Sequence, residues 1–152
     1  MIKINVVLGN SNWENYVKNP KKFIQKKINS INRKSKKFKN KKLIFTLNLS
    51  GSTEIKKLNK KFRKKNKTTD VLSFPFYEGR DLQKIFKKDK EIYLGDVIIN
   101  IDKIKKDILN FENNFNKLWI HGFFHLLGYR HKRIKEFKLM KKNEEKYLSY
   151  IN

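Results

Sequence analysis

All three histidines of the 152-residue chain lie in one run of eleven residues, HGFFHLLGYRH at positions 121–131. His121 and His125 are four apart. On a helix their imidazoles project from one face, one above the other, where two neutral rings can bind a single metal ion. Gly128 can take the left-handed conformation that turns a chain at a helix C-terminus, and such a turn folds His131 back towards the first two. Three nitrogen ligands with a fourth position left for water describe a catalytic zinc centre rather than a closed structural one. The chain has no cysteine, which excludes disulfides, thiolate ligands and thiol nucleophiles and leaves His and carboxylate as the metal donors.

The spacing H-x-x-x-H-x-x-G-x-x-H is shared with the metzincin peptidases, whose motif begins H-E-x-x-H. Gly122 stands where those enzymes carry the Glu that serves as general base. A metzincin-like peptidase is therefore disfavoured, while activation of water by a metal stays open.

Holding three rings in register requires a core, and the chain has material for one. Hydrophobic residues make up 38% of it, with twelve Phe, six Tyr and two Trp, and its length fits one compact domain over residues 1–152. The formal net charge is +24. Such a surplus attracts polyanions, nucleic acid above all, although a Lys- and Asn-rich composition poor in Ala and Gly is also what AT-rich coding produces. Any single Lys run thus reads equally well as solvated surface. The N-terminal MIKINVVLGNSNWEN turns polar too soon for a signal peptide, and no apolar run approaches the ~20 residues of a membrane span, so a cytoplasmic protein is expected.

Periodicity predicts the elements. IKINVVL reads as a strand ending at Gly9, and a helix over Pro20 to Ile31 carries Phe23, Ile24, Ile28 and Ile31. Residues 32–42, with Phe38 their lone apolar residue, form an exposed connection. KLIFTLNLS, residues 42–50, is a second strand, after which Gly51-Ser52 breaks the chain and offers a cap to a helix with Ile55, Leu58 and Phe62. TTDVLSFPF, residues 68–76, is a third strand whose Pro75 favours an edge or a strand end. Residues 78–91 read as a polar loop, and IYLGDVIIN, residues 92–100, as the last strand, with Gly95 marking a bulge or a close backbone approach. From Ile101, the residues Ile104, Ile108, Phe111, Phe115 and Leu118 predict one helix running directly into the histidines. A final helix from about Arg133 has Ile134, Phe137, Met140, Tyr147 and Leu148 as its apolar side. The order β-α-β-α-β-β-α-α implies an α+β fold, a small mixed sheet with packed helices and a zincin-like metal helix.

HGFFHLLGYRH resembles the signature of the YbeY family of single-domain bacterial metal-dependent endoribonucleases, H-G-x-x-H-L-x-G-Y-D-H. Two more blocks carry the resemblance in the family's order: LNKKFRKKNKTTDVLSFPF, residues 58–76, and LGDVIIN, residues 94–100. The resemblance implies a mixed four-stranded sheet and one Zn2+ held by His121, His125 and His131. It implies Arg63 as the catalytic-cleft arginine. It also implies action on ribosomal RNA, including the 3′ end of the small-subunit RNA, and in ribosome quality control. Arg130 departs from the pattern, standing where the family has Asp.

The reaction expected is hydrolysis of phosphodiester bonds in single-stranded RNA, with the metal activating water or a phosphoryl oxygen and Arg63 stabilising phosphate charge. Arg130 so near the metal adds positive charge suited to a phosphate. Asp70 and Asp96 are the carboxylates in the matching blocks, Asp96 reading rather as a structural acceptor. Ser73 reads as lining or backbone-bonding, Phe74 and Phe76 as core residues or base-stacking ones, and the basic runs 60–67 and 132–142 as tracks for an RNA backbone. Two other readings compete: an RNA- or ribosome-binding assembly factor with a structural zinc site, and a metallopeptidase.

Overall fold

The computed structural model describes residues 1–152. Four strands, β1 (Ile2–Leu8), β2 (Lys42–Ser50), β3 (Val71–Pro75) and β4 (Glu91–Asn100), form one sheet in the order β1-β2-β4-β3. The first three in that order run parallel and β3 is antiparallel to β4, so the sheet is mixed and the fold is α+β. Six helices surround it: α1 (Pro20–Lys34), α2 (Ser52–Arg63), α3 (Gly79–Lys88), α4 (Ile101–Ile104), α5 (Phe111–Leu126) and α6 (Ile134–Ile151). No helix is long and apolar enough to cross a membrane.

Side chains alternate across a strand, and the two faces of this sheet meet different partners. Leu43, Phe45, Leu47 and Leu49 of β2 join Val97 and Ile99 of β4 in the main core, with Ile24 and Ile28 of α1 and Phe115, Trp119 and Phe123 of α5. Helix α6 packs outside, against α1 and α5, and closes this layer with Met140, Tyr147 and Ile151. The opposite face has only α2, over a small cluster of Ile55, Leu72 and Ile98.

Several elements differ from the sequence reading. Residues 78–91 are not a loop: Leu82, Ile85 and Phe86 give α3 an apolar stripe that seats it on the core, although the flanking charges mask the pattern. The helix expected to be continuous from Ile101 is broken after Ile104. Ile108 and Leu109 turn outwards, 72% and 98% exposed, because Asp107 accepts hydrogen bonds from the backbone and side chain of Asn110 and stabilises a turn before α5. The Gly51-Ser52 break caps α2 through Gly51, which has no side chain to bond, and the carboxylate of Asp102 accepts the Ser52 amide at 2.9 Å. The third strand begins at Val71 rather than Thr68, since Thr68 Oγ1 and the Thr69 carbonyl are taken by Asn100 Nδ2. Phe62, Ile134 and Phe137 lie on solvent-facing sides of their helices rather than in the core, whereas Phe38 packs against the core from an otherwise exposed connection.

Pro75 ends β3, which is an edge strand, as its missing amide requires. Gly95 sits at φ +128°, where the β2–β4 register shifts by one residue, and a Cβ there would collide with the Phe74 carbonyl oxygen and stand 2.9 Å from Phe76 N. The bulge shifts the phase of alternation: Ile92 and Leu94 before it and Val97 and Ile99 after it share the main core, while Ile98 faces α2. Gly95→Ala is therefore expected to cost about 2–3 kcal/mol or more of stability, through strain and loss of β3 pairing. A urea midpoint within error of wild type would contradict this account of the bulge.

Candidate metal centre

Helix α5 delivers His121 and His125 to the mouth of a cleft between its C-terminal end, β3 and α3. The helix ends in a Schellman motif: Tyr129 N donates to Phe124 O at 3.1 Å, and Gly128 N donates to His125 O at 3.0 Å with Gly128 at φ +85°. The rings of Tyr129 and Phe124 meet edge-on, centroids 5.2 Å apart, as the apolar contact that accompanies such a turn. The motif brings His131 back, its ring centroid 5.0 Å from that of His125 and 5.5 Å from that of His121. One nitrogen from each of the three rings lies within 4.8 Å of the other two. The expected convergence of the histidines is thus present.

Hydrogen bonds fix the state of two rings. His121 Nδ1 stands 2.7 Å from Glu144 Oε1 of α6, and His125 Nδ1 stands 2.9 Å from the Tyr129 carbonyl oxygen. Both partners accept, so each Nδ1 carries a proton and each ring turns its Nε2 towards the other histidines. The two Nε2 atoms face each other at 2.9 Å. Nitrogens each ~2.0–2.1 Å from a shared tetrahedral ion would stand roughly 3.3 Å apart. The two nitrogens are thus close to the separation that a shared ion requires. Burial, reinforced by the neighbouring His121, pushes the His125 pKa down from 6.5 to about 4. The ring is therefore neutral, as a ligand must be, throughout the physiological range. The three histidines could hold a metal ion.

Other residues singled out in the sequence separate clearly. Arg63, the last residue of α2, lines the same cleft as the histidines, one guanidinium nitrogen donating to Ser73 O at 3.2 Å. Arg130, Lys65 and Lys132 add positive charge to the walls. Asp70 lies on the cleft, whereas Asp96 lies on the far face of the sheet and accepts from Tyr93 Oη at 2.9 Å. Ser73 is buried and its hydroxyl donates to Gly122 O at 3.4 Å, so it braces α5 against β3. Gly122 faces the sheet: a Cβ there would stand 2.5 Å from Val97 Cγ1, and a Glu would point into the core instead of towards the histidines. Phe74 is half-buried against the second cluster and Phe76 is exposed.

With this geometry in place, comparison with known proteins is decisive. The family model described as Endoribonuclease YbeY matches residues 8–152. The chain belongs to the YbeY endoribonuclease family. Endoribonuclease YbeY of Pelagibacter ubique is 43% identical over 155 aligned residues, covering 99% of this chain and 97% of that protein. The YbeY of Buchnera aphidicola subsp. Schizaphis graminum is 36% identical, covering 99% and 92%. The solution structure of TM1509 from Thermotoga maritima aligns with a TM-score of 0.60 and 26% identity, covering 99% of this chain and 89% of that one.

Glu144 is the member of this YbeY-family site that sequence reasoning missed. It lies 23 residues beyond His121 in the unremarkable run KKNEEKYL, and only the packing of α6 on α5 joins them. By accepting from Nδ1, its carboxylate orients the ring so that Nε2 faces the other histidines. Glu144→Ala is expected to weaken divalent-cation affinity about 10–100-fold with the fold intact; an unchanged affinity in competition titration would remove Glu144 from the centre. A second expectation concerns pH. In chelated protein the unfolded chain protonates His125 below about 6.5 while the folded protein resists until about 4, so this group subtracts stability as pH falls through that window. The Tm of chelated wild type should drop more steeply from pH 6.5 to 4 than that of His125→Gln, and parallel curves would refute the burial argument.

Proposed function

We propose that the chain is a single-domain, zinc-dependent endoribonuclease of the cytoplasm that cleaves single-stranded RNA. Its substrate is ribosomal RNA, including the 3′ end of the small-subunit RNA, and it acts on the ribosome in quality control. The observation that carries the reading is the meeting of three imidazoles, with Nε2 of His121 and His125 2.9 Å apart, and Arg63 in a single basic cleft of about 840 Å³. The family name of its relatives supports an RNA substrate.

His121, His125 and His131 would hold the ion, and what it supplies when bound is Lewis acidity towards a phosphoryl oxygen and a more acidic water. The remaining chemistry belongs to the chain. The Arg63 guanidinium has five donors and commits one nitrogen to Ser73 O, so its free edge can pair with phosphoryl oxygens as charge builds on them. Arg130, Lys65 and Lys132 attract the phosphate backbone without reading sequence. Asp70 and Glu78 are the carboxylates of the cleft wall, and proton transfer from the attacking water falls to one of them or to solvent.

RNA cleavage by rigorously nuclease-free wild type, Arg63→Ala and His121→Ala tests this reading. Arg63→Ala is expected to keep its fold and one zinc per chain by elemental analysis, while cleaving about 100-fold more slowly or worse. His121→Ala should lose both zinc and activity. Cleavage at the wild-type rate by metal-free protein, or by the Arg63 variant, would overturn it. Wild type that binds zinc and ribosomal RNA without turnover would point instead to an assembly factor.

A further inference from the structure

We infer that the sheet face opposite the metal centre carries a stacking platform for unpaired bases of the same RNA strand, built on Phe62 and Phe76. The inference rests on the RNA reading above and extends it beyond the cleft. Strand β3 lies at the sheet edge, with one face to each side. Val71, Ser73 and Pro75 line the cleft, while Leu72 and Phe74 join the α2 cluster on the other side. Phe76 continues this second row past Pro75, its ring edge-on to Tyr93 of β4 with centroids 5.8 Å apart. Phe62, on α2, meets this row at Phe74, edge-on at 5.3 Å.

The core does not use these two rings: Phe76 is 65% and Phe62 57% exposed. Each is chain-adjacent to a cleft residue, Phe62 to Arg63 and Phe76 to both Pro75 and Tyr77. A strand leaving the cleft over the short edge of β3 passes residues that border these rings in sequence. The setting is cationic as well. Lys61 Nζ lies 5.2 Å from the Phe62 ring centroid, and the run KKFRKKNK surrounds that ring on a chain of net charge +24. A protein-binding patch has no need of that charge, whereas a polyanion with stackable bases complements both features. Exposed aromatic rings beside a cationic run are a general means of holding single-stranded RNA without choosing its sequence.

The test compares kinetics on single-stranded RNAs of about 4 and about 16 nucleotides, the span of single-strand site sizes. It uses full-length zinc-loaded wild type, Phe62→Leu, Phe76→Leu and Phe76→Trp. Each leucine variant should raise KM for the longer RNA about tenfold, a modest value for one lost stack, with kcat and the short-RNA KM unchanged. Phe76→Trp should restore the wild-type KM. Wild-type KM in both leucine variants would overturn the platform, as would an equal rise on both RNAs, which places the effect in the cleft, or failure of the tryptophan to rescue. A concentration-dependent dimer dispersed by Phe76→Leu would assign the face to self-association and overturn it equally. Wild type that cleaves neither RNA refutes the underlying RNA reading rather than the platform alone.

Discussion

Helix α5 can lie on the sheet at its observed depth only because residue 122 has no side chain. A Cβ on Gly122 would stand 2.5 Å from Val97 Cγ1 and 3.2 Å from Ser73 Oγ, and neither neighbour has room to retreat from a packed interior. This close approach sets the height of His121 and His125 above β3 and, with it, the width of the cleft facing Arg63. Ser73 serves both sides, its hydroxyl bracing α5 and its carbonyl accepting from Arg63. The glycine that takes the place of a peptidase's glutamate is thus a packing requirement of this fold, and the face it occupies has no access to the metal centre.

From that constraint the centre is assembled by groups that can only accept protons. Glu144 and the Tyr129 carbonyl turn the first two imidazoles so that their Nε2 atoms oppose each other, and burial keeps His125 neutral. The third ring arrives on a turn whose own hydrogen bonds and aromatic contact define it, so no long-range packing is needed to return His131.

The opposite wall adds buried amides to the apolar packing of α2. Asn100, fully buried at the end of β4, donates to Ser52 Oγ, Thr68 Oγ1 and the Thr69 carbonyl. Asn59 donates to the Lys67 carbonyl at 2.7 Å. Together they secure the lysine-rich loop between α2 and β3, a segment whose mutual charge repulsion would otherwise extend it away from the site. Arg63 is held at the loop's start, between the cleft on one side of β3 and the exposed rings on the other.

The convergence of the three histidines was legible because its information is local. The four-residue spacing of His121 and His125, the glycine able to turn left-handed, and the third histidine are all encoded within one helix end, where geometry follows from backbone sterics alone. The strands, the edge position implied by Pro75 and the bulge at Gly95 were legible for the same reason. Helix α3 was obscured because its apolar stripe is only three residues among charges, and the continuous helix from Ile101 failed because periodicity does not register the Asp107 turn. Tertiary structure alone decided what crosses between elements. It placed Glu144 on His121 and Arg63 opposite the histidines, put Asp96 and Asp70 on different sides of the sheet, and left Phe62 and Phe76 in solvent. Each of these depends on which faces of distant segments are pressed together, and spacing along a chain carries no record of that.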